Sequence, residues 1–534
     1  MISVSEHIDN LIKLDSFEKG KSFEFFVKWF LKNDPIWKNY VDKIWLWKDY
    51  PNNWGPDKGI DLVFLDRSGK TWAVQAKCYS EDYSIKKADI DSFLSESNRE
   101  KIDKRLLICT TDKIGNNAIE VCKNQDNKPV TFITRTYFDE SCLELSDDWN
   151  KQTQTNKNNQ PKKRDYQKEA IGKLVKHFEK NERGKLLMAC GTGKSFIHCW
   201  LIEELDYKKN ILFVPSLSLV EQFIKDLLLV LNNKYEFMCV CSDRTVINDD
   251  TYDSLSHDRI ELQLPVTSSI NDITQFLEKD VSGVIVSTYQ SSELISKALN
   301  ASSHSSLDLM ICDEAHRCSG KSDSTFSRVL DNDFIPCKKR LFSTATEKVF
   351  SSRVMSKAQN RDIRLFNMTD EEVFGSKIYE LSFRDAINQG LLSDYQVAVV
   401  CVNDNDIEAS ISKRDLVRIQ KYGISDMKYI ATQVAILKAI KKYSLSKIIT
   451  FHSRVERARS FSTSLNVIND IGSFQIQLTS NYVSGSMTAS KRIRKLKILK
   501  NSDSKNVSIV SNARCLSEGI IYLHLILLHL WIQK

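Results

Sequence analysis

Uninterrupted apolar runs recur along the last two thirds of the chain: KLLMAC, NILFVPS, GVIVSTYQ, LDLMICDEAH, RLFSTAT, KIITFHS and NVSIVSN. A run that is apolar at nearly every position reads as a strand buried on both faces. Such strands, separated by helix-length segments, predict parallel sheets built of βα units. The first 150 residues read differently. Phe17 to Leu31 carries Phe23, Phe26, Val27 and Phe30 at helical spacing, which predicts a helix with one buried stripe. Gly59 to Asp66 and Thr71 to Cys78 read as two strands joined by a short turn through Arg67 to Lys70.

Between these regions, Lys151 to Arg164 has five positive charges, no acid and no aliphatic or aromatic side chain. It cannot bury enough surface to offset its ordering entropy and reads as a linker. The expected division is a unit at 1–150, a linker at 151–163, a first sheet lobe at 164–375 and a second at 376–534. The weak point between the lobes is expected near Phe374 to Ser376.

Composition narrows the class. The 534 residues are 42% hydrophobic and 27% charged, which excludes a wholly disordered, fibrous or multi-span membrane chain and calls for several cores. The 13 cysteines are scattered without a C-x-x-C pair, which argues against a disulfide scaffold or zinc cluster and for a reducing, cytoplasmic setting. A net charge of +7 suits a polyanionic partner without identifying one.

The candidate chemistry starts at Met188-Ala-Cys-Gly-Thr-Gly-Lys-Ser195, between an apolar strand and a helix. Gly191 and Gly193 let the backbone turn and present N–H groups to phosphates at the positive end of that helix. Lys194 would reach the β- and γ-phosphates, and Ser195 would ligate Mg²⁺. Asp313-Glu-Ala-His316 ends another apolar strand, at the sheet edge where doubly wound folds bind ligands. Asp313 there would hold the cation, and Glu314 would orient and deprotonate the attacking water.

These motifs resemble those of superfamily 2 helicases. Arg164-Asp-Tyr-Gln167 is similar to the adenine-reading element, with Arg164 and Gln167 in that role. MACGTGKS is similar to motif I, including Thr192, and DEAH, including His316, to motif II. Ser343-Thr-Ala-Thr346 is similar to motif III, which implies a coupling role for Ser343, Thr344 and Thr346. Thr288, Arg454 and Asn512 fall in stretches that resemble DNA-contacting motifs. The form MACGTGKS and the stretch Leu381 to Leu392 resemble the motors of type I restriction enzymes and the single-chain type ISP enzymes. The resemblance implies two RecA-like α/β domains, the second incomplete, and an ATP-driven duplex-DNA translocase. A methyltransferase and target-recognition domains or subunits would be its partners, with no membrane.

In the N-terminal hairpin, Gln75 and Lys77 are two residues apart and share a face, and register brings Asp61 beside them. Val74 and Ala76 point the other way, toward a core. Asp61 and the Gln75 side-chain oxygen would supply hard oxygen ligands to Mg²⁺, with Glu24 as a further acid. Lys77 would position the nucleophile or stabilise the pentacovalent charge. The arrangement resembles the Mrr-type branch of the PD-(D/E)xK nucleases, with Gln75 where most members carry Glu. That resemblance implies a restriction-endonuclease-like α/β domain at the N-terminus. Tyr40, Trp45, Trp47, Tyr50 and Trp54 crowd the approach to the hairpin and read foremost as packing, with base stacking the alternative.

The tail is out of keeping with the rest. Ile520 to Ile532 holds thirteen uncharged residues, five Leu and four Ile among them, and fits neither strand alternation nor an amphipathic helix. A shifted reading frame after Ile520, removing the arginine-bearing last helicase motif, is the expected cause. The alternatives to a DNA motor with a nuclease are an RNA-remodelling helicase and an inactive DNA-binding fragment.

Overall fold

A computed structural model describes residues 2–529 other than 57–58, 124, 126–127, 129, 142, 146–160, 232–234, 242–263, 305, 362, 395–410, 412–426, 472–473, 485–486, 488, 504 and 514–525. The chain forms two compact units, one of residues 1–243 with 258–393, the other of 244–257 with 394–534. The linker expected at 151–163 lies mostly outside the described residues.

The first unit opens with helices α1 (Val4–Ile12) and α2 (Ser16–Asn33). Asp15 caps α2 by accepting from the Phe17 and Glu18 N–H groups, and Phe23, Phe26, Val27, Phe30 and Leu31 form its buried stripe, as their spacing predicts. The stripe lies on a five-stranded sheet in the order β1-β2-β3-β4-β5. These strands are Val41–Leu46, Leu62–Asp66, Thr71–Lys77, Lys104–Cys109 and Val130–Ile133. The first three pair antiparallel and the last three parallel, which gives a mixed sheet. Leu62, Phe64, Trp72 and Val74 face the α2 side, while Val63, Ala73, Leu107 and Phe132 close a second core on the other face.

The same unit holds an eight-stranded sheet, parallel throughout. In chain order its strands are β6 (Arg183–Met188), β7 (Lys209–Val214), β8 (Glu236–Val240), β9 (Val266–Thr267), β10 (Gly283–Thr288), β11 (Leu307–Asp313), β12 (Cys337–Thr344) and β13 (Ser376–Leu381). Their spatial order is β9-β8-β10-β7-β11-β12-β6-β13. The five apolar runs between Lys185 and Thr346 are all strands here, central in the sheet and fully covered. Helices α3 (Asp165–Lys180), α4 (Lys194–Leu205) and α5 (Leu217–Val230) cover it.

The boundary expected at 375 is corrected by β13, which pairs with β6 and so belongs to the first sheet. The turn before it is possible only because of Gly375. At φ 74 a side chain would be strained, and an added Cβ would sit 2.2 Å from the Arg183 carbonyl carbon. Helix α6 (Ser352–Gln359) and helix α7 (Phe383–Asn388) flank β13 in sequence.

The second unit carries a parallel sheet in the order β15-β16-β14-β17. Its strands are β14 (Lys447–Phe451), β15 (Leu478–Ser484), β16 (Val507–Ala513) and β17 (Ile526–His529), and helices α8 (Val455–Ile471) and α9 (Ala489–Lys500) accompany them. Of the tail, Ile526–His529 forms β17 and pairs parallel with β14, while the rest of 520–534 lies outside the described residues. A strand in a parallel sheet needs no alternation, so a continuous Leu/Ile run suits it.

Candidate functional site

The phosphate loop follows β6 and opens α4, with Gly191 at φ 82 and Gly193 at φ 80. Gly193 is required twice over, since an added Cβ would also approach Gln167 Nε2 to 2.7 Å. Helix α3 latches the loop, for the Tyr166 hydroxyl donates to the Thr192 carbonyl at 2.7 Å and Gln167 Nε2 to the same oxygen at 3.4 Å. Gln167 Oε1 accepts from the Arg164 N–H at 2.9 Å, and Arg164 itself is exposed. The Arg164–Gln167 element therefore touches the loop it was expected to accompany.

Lys194 is 10% exposed and its Nζ lies 3.6 Å from Glu314 Oε1, with no hydrogen-bond partner among the described residues. A buried ammonium left this way favours an anion. Glu314 sits past β11 at φ 48, in the left-handed region that costs an ordinary residue about 1–3 kcal/mol. His316 Nδ1 is 3.3 Å from its other oxygen and 3.0 Å from the Thr344 hydroxyl. Burial raises the Glu314 pKa, but the His316 hydrogen bond and the Lys194 charge outweigh it and hold the carboxyl below its usual range. Glu314 is therefore ionised and able to take a proton. Asp313 is buried at the end of β11, where its carbonyl accepts from the Tyr289 hydroxyl at 2.7 Å. Ser343 is buried too, with an Oγ that has no partner among the described residues.

Two residues here had no role in the sequence reading. Asp226 of α5 lies near Ser195, and burial pushes its pKa up to about 6 against the lowering effects of Ser195 and Lys225. The only trace in the sequence is an acid directly before the apolar run LLLV of α5. His198, one turn beyond Lys194, is fully buried, stacked on Phe223 at 5.7 Å, with neither ring nitrogen hydrogen-bonded among the described residues. Burial, then the Lys194 charge, lowers its pKa to about 3.

This gives a pH prediction. Below pH ~6.5 the unfolded chain binds a proton at His198 that the fold refuses, so stability falls as pH drops toward 3, by about 1.4 kcal/mol per unit. His198→Phe should abolish that dependence, gaining about 2 kcal/mol over the parent at pH 5 relative to pH 7.5 in urea unfolding. A gain that is constant across pH would refute it.

The residues expected to contact DNA differ in exposure. Thr288 is buried with its hydroxyl 3.0 Å from that of Ser291. Arg454 is exposed just before α8, and Asn512 is buried at the end of β16, its carbonyl accepting from the His452 N–H. Of the three, only Arg454 presents its side chain to solvent.

In the N-terminal sheet, the Leu62–Val74 pair puts Asp61 opposite Gln75, just before β2 begins. Asp61 Oδ2 accepts from the Ala76 N–H at 2.6 Å, and the Asp61 N–H donates to the Val74 carbonyl. Gln75 is 1% exposed, and its Oε1 has no partner among the described residues. Lys77, half-buried, shares its face. The sequence predicts the shared face but not the burial, on the side of the sheet where Val63, Ala73 and Leu107 belong to the second core. An unsatisfied buried amide oxygen beside a carboxylate is a donor set that fits a hard divalent cation. Glu24 lies half-buried on α2, which packs against β3. Of the aromatic group, Trp47 packs on both Tyr50 and Trp54, Trp45 packs on Tyr50, and Tyr40 is half-buried against the first core, so packing accounts for them.

Residues 32–159 match the family described as "Restriction endonuclease", and residues 160–349 match "Type III restriction enzyme, res subunit". The "Probable helicase A859L" of African swine fever virus is 29% identical over 238 residues, 44% of this chain and 24% of that protein. The "Type I restriction enzyme EcoAI endonuclease subunit" of Escherichia coli is 24% identical over 45% of this chain and 24% of its own length. Among solved structures, "ATP-dependent Type ISP restriction-modification enzyme LlaBIII bound to DNA" superposes with a TM-score of 0.76 at 26% identity, over 96% of this chain and 34% of that one. The chain spans about a quarter of the curated relatives and a third of the solved one. It therefore carries a restriction-endonuclease domain followed by a helicase domain of the restriction-enzyme type, the build of the type I and type ISP motor–nuclease polypeptides.

Proposed function

We propose that the chain is an ATP-dependent duplex-DNA translocase carrying a Mg²⁺-dependent DNA endonuclease, acting in a restriction–modification system. The observation that carries it is the convergence at one sheet edge of an ionised Glu314 and a Lys194 ammonium that has no hydrogen-bond partner among the described residues, in a chain that also holds the Asp61–Gln75 pair. Lys194 and the loop N–H groups would bind the terminal phosphates, while Glu314 would align a water and accept its proton. Ser195 and Asp313 would hold Mg²⁺ there, and Asp61 and Gln75 in the nuclease, with Glu24 as a further acid. A bound divalent cation supplies electrophilic charge beside the phosphate. Ser343, Thr344 and Thr346 would report the state of the site, since Thr344 already touches His316. Residues 1–150 would cut, 164–393 would bind ATP, and 394–534 would complete the motor. Methyltransferase and target-recognition functions would come from further domains or subunits.

The test is ATP hydrolysis with duplex DNA, single-stranded DNA and RNA. Duplex DNA should stimulate turnover about tenfold or more over RNA. Stimulation by RNA instead would favour the remodelling-helicase reading, and salt-dependent DNA binding with neither hydrolysis nor cleavage would mark an inactive fragment.

A further inference from the structure

Between Thr346 and β13 the chain leaves the sheet as an arm. Lys348 to Phe366 carries Lys348, Arg353, Lys357, Arg361 and Arg364 against a single acid, Asp362. None of the eight residues of α6 is buried, and Val349 and Val354 are 56% and 43% exposed. Among the described residues, none of the five cations lies in an ion pair. Lys348 and Arg364 rest over their neighbours Phe350 and Phe366, whereas Arg353, Lys357 and Arg361 stand in solvent. These three recur every fourth residue, along one face of α6 and just past its end. Their spacing is about 6 Å along the axis, close to two base-pair rises of about 3.4 Å on one DNA strand.

The arm is tied at both ends to the nucleotide site. At its root Glu347 Oε1 accepts from Lys185 Nζ at 2.7 Å, directly after Thr346. At its far end Leu365–Phe366 pairs antiparallel with Gly320–Lys321, four residues beyond His316. A row of exposed cations at a regular helical spacing suits a repeating anion such as a phosphate backbone.

We propose that this arm is a sequence-independent contact for the phosphate backbone of duplex DNA, with Arg353, Lys357 and Arg361 each facing a phosphate. The inference rests on the DNA-motor reading and adds a site to it. Because the arm joins the Ser343–Thr346 strand end to the turn after Asp313–His316, backbone contact there would bear on the residues around ATP.

The test uses the full chain and the triple variant Arg353→Gln/Lys357→Gln/Arg361→Gln, all at exposed positions, titrated with fluorescein-labelled duplex DNA across salt concentrations without nucleotide. The slope of log affinity on log salt should fall by about 2–3, at about 0.9 per lost phosphate contact, and affinity near 0.1 M salt should drop about tenfold or more. Binding of a fluorescent ATP analogue should not change. A control, Lys168→Gln/Lys176→Gln/Lys180→Gln on α3, removes the same charge from another exposed face and should keep the parental slope. A parental slope in the arm variant, or an equal loss in the control, would overturn the proposal while leaving the DNA-motor reading intact. Loss of RNA binding with duplex binding retained would overturn it as well. Failure of the parent chain itself to bind duplex DNA would overturn both.

Discussion

Lys194→Ala is expected to cut affinity for ATP by about 100-fold or more and to abolish hydrolysis, with no loss of thermal stability. The ammonium is nearly enclosed and has no hydrogen-bond partner among the described residues, so its present environment holds a desolvated charge at a cost. Glu314 at 3.6 Å returns part of that cost, and it keeps His316 as a second neighbour when Lys194 is removed. Removing Lys194 therefore leaves the fold intact while removing charge-assisted contacts worth about 1.5–3 kcal/mol each to a phosphate. At about 1.4 kcal/mol per tenfold, two such contacts reach the stated loss. Titration with a fluorescent ATP analogue, alongside thermal unfolding, reads both quantities. Undiminished affinity would remove the nucleotide assignment, and with it the roles given to Ser195, Asp313 and Glu314.

The second large effect is expected in the N-terminal sheet. Asp61→Asn and Lys77→Ala should each reduce DNA cleavage by about 100-fold or more while nucleotide binding stays at the parental level. Asparagine is the sharper substitution at position 61. It can keep the bond from the Ala76 N–H, so a loss of cutting cannot be assigned to a disturbed hairpin. Gln75→Glu tests the same geometry from the opposite direction. A carboxylate in that buried position, beside Asp61, should bind a divalent cation more tightly and shift the Mg²⁺ requirement for cutting to lower concentration. Plasmid nicking across a Mg²⁺ and Mn²⁺ series measures all three. Cleavage that survives Asp61→Asn and Lys77→Ala would place the cutting centre elsewhere.

The two sites were legible to different depths. The strand–loop–helix setting of Gly191–Ser195 and the strand-end position of Asp313 could be read, because both are marked by apolar runs adjacent to them in sequence. The nuclease pair could be read as a shared face, because side chains alternate along a strand. That Gln75 is enclosed could not be read, since the core on its side of the sheet is assembled from residues well removed from it in sequence. Asp226 was invisible for the same reason, as its meeting with Ser195 joins two helices across a crossover.

Strands β8, β9, β13 and β15 were missed where the runs are short or interrupted by polar residues, as in Leu478–Ser484. Their membership is decided by hydrogen bonding to a neighbour already in place. The boundary at 375 failed on that ground, because β13 is claimed by β6, and Gly375 permits the turn that lets it pair.

What the sequence determined by itself is therefore local: which runs are strands, which glycines turn the chain into a helix, which acid ends which strand. Propensity, alternation and backbone freedom act over a few residues, and those are written in order along the chain. The tertiary structure decided what is enclosed, which carboxyl is held ionised, which strand joins which sheet and which basic segment is left uncovered. Each of these depends on desolvation and pairing by groups distant in sequence, and no local pattern carries that information.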